Sequence, residues 1–230
     1  MMPKARILIA GDSWGCGEWN ASTKVKKLVR HSGIEQYFVD DGFEVINVSS
    51  GGATLDIIIN QIIKFNPKDF DYIFVFVTDS SRTVTKQFND FSKFWENINS
   101  IYDIKARDKK ILNDFYNKLN CLNTKIYLLG GLTHINETEL TRYPNLESPI
   151  LSIMRLLTND KMLLPELSFS GAAEHMPRKM SIDVQRWTLK QVKAWDEIRQ
   201  TKHFKLDLAH PDRHGHFKIF NHLKDCVIDK

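Results

Sequence analysis

The sequence predicts an α/β protein, a three-layer α/β/α sandwich around a mostly parallel sheet. Two observations carry that expectation. Short apolar runs, too brief for helices, alternate with stretches whose apolar residues recur at helical spacing. Several of the runs also end abruptly in loops rich in glycine and serine, as strands do when they deliver the chain to a ligand-binding edge.

Taken in order, Ile7 to Ala10 reads as a buried strand ending in Gly11-Asp12-Ser13. Val25, Leu28 and Val29, then Ile34, Tyr37 and Phe38, predict two short helices separated by Gly33. Glu44 to Val48 is a second strand that runs into Ser49-Ser50-Gly51-Gly52-Ala53-Thr54. Leu55, Ile58, Ile59 and Ile62 then predict a helix stopped by Asn66-Pro67. Tyr72 to Val77 is unbroken apolar sequence, the pattern of a central parallel strand covered on both faces. It ends in Thr78-Asp79-Ser80-Ser81-Arg82.

Phe91, Phe94, Trp95 and Ile98, and then Ile111, Leu112, Phe115 and Leu119, form helical stripes with a break expected across Lys105 to Lys110. Ile126 to Leu129 is a fourth strand closing with Gly130-Gly131. Beyond it Ser148-Pro149 reads as a helix start, Ser181 to Arg199 as a helix and His203 to Leu208 as an edge strand. A last helix carries Ile219, Phe220, Leu223 and Val227. No Pro, Gly or Ser-rich linker divides the 230 residues, so one domain is expected, with a divergent helical segment at about 132–200.

Composition narrows the function classes. Lys plus Arg number 32 against 28 for Asp plus Glu, an excess too small to argue for nucleic acid. Lys24, Lys26, Lys27 and Arg30 read as a solvated helix face. Cys16, Cys121 and Cys226 are odd in number and far apart, without the paired spacing of a disulfide framework or a zinc site. The first strand begins within about six residues, which leaves no space for a signal peptide, and no apolar run approaches the ~20 residues of a membrane span. A cytoplasmic protein that engages neither nucleic acid nor membrane is the expectation.

The chemistry centres on Ser13. A serine at the end of a first strand is a candidate nucleophile; the competing reading is a helix cap. Acyl transfer also needs an imidazole base and donors for the oxyanion. His210, three residues after Asp207, offers the imidazole with a carboxylate placed to fix its tautomer. Gly52 offers an unshielded backbone N–H. His210, His214 and His216 lack the further ligands a zinc loop needs, so no metal or other cofactor is implied. Cys16 reads as a small buried or half-buried residue.

These blocks, in this order, resemble the SGNH or GDSL hydrolase family. Ile7 to Ser13 matches its first block, Asn47 and Gly52 its second, and Asp207, His210 and Pro211 its last, while residues 132 to 200 contribute nothing. The resemblance implies a flavodoxin-like sandwich and a Ser13-His210-Asp207 triad, with Ser13 and Gly52 in the oxyanion hole. It also implies hydrolysis of an ester, the acyl or acetyl group of a small-molecule or glycan substrate. The third block departs from the pattern. Where the family has Gly-x-Asn-Asp, this chain has Thr78-Asp79-Ser80-Ser81, so the amide donor is missing and Ser80 stands at its register. Trp14, Thr78 and Arg82 are expected to contact substrate. A catalytically weak or inactive binding protein on the same fold is the alternative. The α/β-hydrolase nucleophile elbow fits Gly11 to Gly15 too, but too little chain precedes Ser13 to build that fold.

Overall fold

A computed structural model describes residues 3–19, 29–78, 80, 101–131, 134–158 and 210–230. Strand β1 (Arg6–Ala10) is followed by the short strands β2 (Glu18–Trp19) and β3 (Val29–His31), which pair antiparallel with each other. Helix α1 (Ile34–Asp40), strand β4 (Glu44–Asn47), helix α2 (Leu55–Ile62) and strand β5 (Tyr72–Val77) come next. Then follow helix α3 (Ile101–Asn120), strand β6 (Ile126–Gly130), the single turn α4 (Glu137–Leu140), strand β7 (Leu146–Ile150) and helix α5 (Ile153–Thr158). Helix α6 (Arg213–Leu223) continues into a wide π turn over Lys224–Ile228.

Five strands form one sheet in the order β4-β1-β5-β6-β7, and every pairing in it is parallel. The strand order reverses at β1. The chain first crosses to β4 on one side of β1 and then to β5 on the other, so the ends of β1 and β5 flank the position where open α/β sheets bind ligands.

Alternation along the strands builds both layers. Ile7 and Ile9 of β1 face the same side as Phe74 and Phe76 of β5. There they meet Phe38 of α1, Ile153 and Leu157 of α5, and Ile219, Phe220 and Leu223 of α6. Leu8, Ala10, Ile73, Val75 and Val77 face the other way, against Ile58 and Ile62 of α2 and Phe115 and Leu119 of α3. Burial on both faces is why β5 is unbroken apolar sequence. Phe38 stacks on Phe74 with ring centroids 5.6 Å apart and meets Phe220 edge-on at 5.0 Å. Truncating such a ring typically costs about 3–5 kcal/mol.

The sandwich and strands β1, β4 and β5 are as the sequence predicts, but three elements differ. Val29 belongs to strand β3, not to a helix. Its branched side chain suits the extended backbone, and two or three apolar residues are too few to separate the two periods. Lys105 to Lys110 lie inside α3, because charged residues there are good helix formers and Lys109 pairs with Glu139 at 3.0 Å. Ser148 and Pro149 lie within β7, not at a helix start. Pro149 has no N–H for a ladder, but β7 bounds the sheet among the described residues and its register with β6 shifts at this point. Ser148 Oγ donates to the Leu128 carbonyl at 2.9 Å instead. The stripe at Phe91 to Ile98, the helix at Ser181 to Arg199 and the strand at His203 to Leu208 fall outside the described residues.

Candidate active site

The turn that carries Ser13 is built by local bonds. After β1 the Gly15 N–H donates to the Asp12 carbonyl at 3.1 Å, and Asp12 Oδ1 accepts from the Trp14 N–H at 2.9 Å. Such an aspartate-led turn fixes the backbone of the residue it encloses, here Ser13. Two glycines let the turn sink into the sheet edge. A Cβ on Gly11 would lie 2.6 Å from Phe76 Cβ, and one on Gly15 would collide with Ser49 Oγ.

Ser13 is only 7% exposed, and its Oγ lies 2.6 Å from His210 Nε2. With the ring protonated at Nδ1, Nε2 accepts the serine hydroxyl proton in that contact, which is the geometry a general base requires. His210 arrives from the far end of the chain. The next two residues lead into α6, where Asp212 Oδ1 caps the helix by accepting from the Gly215 N–H at 2.8 Å. Tyr37 Oη donates to the Arg213 carbonyl at 3.1 Å, tying the start of α6 to α1. Arg213 Nε also reaches Glu18 Oε2 at 3.3 Å.

Beneath this junction His216 is wholly buried against Gly33, whose φ of +61° and close approach exclude a side chain. Burial pushes the His216 pKa down to about 3. The nearby Gly17 backbone opposes that shift, and His31 and His210 add to it. Neither ring nitrogen has a partner in good hydrogen-bond geometry among the described residues. The ring is therefore neutral wherever the protein is folded at ordinary pH.

The second loop is latched to the first. Asn47 Nδ2 donates to the Gly15 carbonyl at 3.0 Å and to Glu35 Oε2 at 2.9 Å, while its Oδ1 accepts from the Ser49 N–H at 3.0 Å. The Ser50 N–H donates to the Gly11 carbonyl at 3.0 Å. Gly52, two residues on, is exposed, has a φ of +74°, and its N–H has no acceptor among the described residues. A glycine is required there by the backbone rather than by crowding, since open space surrounds the position of a Cβ.

The third loop and the first each bury a residue expected at the surface. Thr78 is fully buried and its Oγ1 donates to Asp12 Oδ2 at 2.7 Å, so its hydroxyl hydrogen is directed at a carboxylate and not at a substrate. Trp14, 1% exposed, lies in the first loop, belongs to the core and packs near Gly131. Both were expected among the substrate contacts. Each makes a structural contact, because the loops fold down onto the sheet edge. Ser80 is fully buried as well, and its Oγ has no hydrogen-bond partner among the described residues. Asp207 and Arg82 lie outside them.

Other side chains with chemical potential are accounted for. Burial, reinforced by the charges of Asp12 and Glu35, pushes the Cys16 thiol up to about 12, and Cys16 Sγ points at the Asp12 carbonyl at 3.5 Å. A thiol so held is protonated and inert. Among the described residues no three His, Cys, Asp or Glu side chains are grouped to hold a metal ion, and no helix is long and apolar enough to cross a membrane. The sequence also carries a structural signal at Asp12 and Asp212. Each precedes a glycine by three residues, the pattern of an aspartate that closes a turn or caps a helix.

No protein-family model matches the chain. No curated protein matches it. Among solved structures it is similar to an α/β-hydrolase enzyme from the metagenome of Lake Arreo, at 12% identity over 98% of this chain and 96% of that one, with a TM-score of 0.42. It is also similar to a member of the lipolytic G-D-S-L family from Veillonella parvula, at 10% identity over 98% and 99% of the two chains and a TM-score of 0.41. A psychrotrophic esterase from a Pseudoalteromonas species gives 10% identity over 97% of each chain and a TM-score of 0.42. The likeness goes no further than these figures, and the chemistry has to be read from the chain's own residues.

Proposed function

We propose that the protein is a serine hydrolase that cleaves an ester, of the SGNH or GDSL type that its sequence blocks resemble. The observation that carries this reading is the 2.6 Å contact between Ser13 Oγ and His210 Nε2 beside the point where the strand order reverses. A binding protein has no need of a serine hydroxyl held against an imidazole, so the contact favours catalysis over the inactive alternative.

In the proposed mechanism His210 takes the Ser13 proton as Oγ attacks the ester carbonyl. The N–H groups of Ser13 and Gly52 stabilise the oxyanion, with the Ser80 hydroxyl as a third donor. The tetrahedral intermediate collapses as imidazolium His210 gives its proton to the leaving alcohol. Water, deprotonated in turn by His210, then releases the acyl group. Asp207, three residues before His210, is assigned the role of holding Nδ1–H and stabilising the imidazolium. Arg82 is assigned to an anionic part of the substrate. Support for Ser80 is its buried hydroxyl and support for Gly52 is its exposed N–H, neither with a partner among the described residues.

The substrate class proposed is the acyl or acetyl ester of a small polar molecule or glycan. Hydrolysis of 4-nitrophenyl acetate by the wild-type protein and by Ser13→Ala tests the reading. Turnover that disappears with Ser13 is expected; equal turnover in the two proteins would withdraw the assignment.

A further inference from the structure

Asp12 is a buried carboxylate, 1% exposed, next to the proposed nucleophile, and nothing in the mechanism above uses it. Its two oxygens serve different loops. Oδ1 accepts from the Trp14 N–H at 2.9 Å and so shapes the turn that encloses Ser13. Oδ2 accepts from Thr78 Oγ1 at 2.7 Å, across the gap between the ends of β1 and β5. Hydrogen bonds of that length to a carboxylate are among the stronger ones, and burial shields this pair from competing water.

The strands beneath the bond are already in register, with Ala10 opposite Val75, so Asp12 and Thr78 lie just past the last paired residues of neighbouring strands. Strand pairing alone does not fix the loops beyond it. The Asp12–Thr78 bond does, and Ser80 follows two residues after Thr78. A serine hydroxyl reaches less far than the amide it replaces in the resembled pattern, so its loop has to be held close to Ser13. The same pattern has a glycine at the position of Thr78, and a glycine could make no such bond.

We propose that Asp12 and Thr78 are positioning residues, a strut that holds the loop after β5 at the distance where the short Ser80 hydroxyl serves as an oxyanion donor. The proposal rests on the esterase reading for its catalytic consequence, while the strut itself is independent of it. In Thr78→Val, which keeps the shape and loses the hydroxyl, kcat for 4-nitrophenyl acetate should fall about tenfold with KM little changed, because the donor acts in the transition state. Thr78→Ser should restore it. In a Ser80→Ala background, Thr78→Val should have little further effect, since both changes remove the same interaction.

Amide hydrogen exchange at Trp14 and Gly15, faster in Thr78→Val than in wild type, is the readout that needs no catalysis. Asp12→Asn is the second variant should Thr78→Val fail to fold, with the same expected fall in kcat and the same faster exchange. Wild-type kcat in a folded Thr78→Val or Asp12→Asn protein would overturn the proposal, as would kcat losses that multiply with Ser80→Ala. Loss of hydrolysis in Ser13→Ala alongside such wild-type values refutes the strut and spares the esterase. Hydrolysis retained in Ser13→Ala refutes the esterase, and unchanged exchange in the Asp12 to Gly15 turn then refutes the strut on its own.

Discussion

Ser13 and His210 touch, yet they are held in place by opposite means. Ser13 is fixed by bonds that span two or three residues and by glycines that let the backbone press into the sheet. His210 is fixed at a distance, through the seating of α6 on α1 by Phe220, Phe38 and Tyr37. Damage to the first should therefore reach chemistry before it reaches stability. Damage to the second should reach both together, because the seating that places the ring is also part of the core.

The sharpest break in the comparison is at the pair itself. Ser13→Ala and His210→Ala should each lower kcat/KM for an aryl ester by at least ~10³-fold while the melting temperature moves by no more than about 2 °C, measured by calorimetry. A large fall in melting temperature for Ser13→Ala would show that the turn is not the self-contained unit described.

Acid should act on the α6 side. His216 has an ordinary pKa near 6.5 when unfolded and one pushed down to about 3 by burial when folded. Between those values the unfolded state binds the extra proton, so stability is fully present above pH 6.5 and declines as pH falls toward 3. At about 1.4 kcal/mol per pKa unit the loss amounts to several kcal/mol. Urea titrations between pH 7 and 4 should show it, and His216→Leu should flatten the slope. An unchanged slope in that variant would assign the acid sensitivity elsewhere.

Smaller effects sharpen the contrast. Gly33→Ala places a methyl group against His216 Nδ1 at a φ of +61°, and should cost about 1–3 kcal/mol of stability together with a proportionate loss of turnover. Chemical denaturation and esterase kinetics on one preparation would reveal whether the two losses travel together. Last, Ser80→Ala should lower kcat by roughly tenfold with KM nearly unchanged and no loss of stability, since it removes a buried hydroxyl that has no partner among the described residues. Unchanged kcat would leave the oxyanion to backbone donors.

The same division governs what could be read from the chain. β1 and β5 were legible because burial on both faces leaves no polar residue to obscure the run. Ser13 was legible because its turn is local, and His210 because an Asp and a Pro accompany it. The fates of Trp14 and Thr78 were not, since a loop residue's direction depends on how far the loop folds back onto the sheet. Nor was β7, where Ser148-Pro149 imitates a helix start and only the neighbouring strand decides otherwise. The tie between Asp12 and Thr78 joins residues 66 apart, and nothing in the spacing of either announces it.

The separation of 197 positions between Ser13 and His210 also bears on how the protein is made. A ribosome releases the β1 turn early and α6 late, so the face lined by Ile7, Ile9, Phe74 and Phe76 waits for much of its cover until the last described helix has emerged. During that interval the contact between Ser13 and His210 is not yet made. That contact and the cover of this face then arrive in the same step.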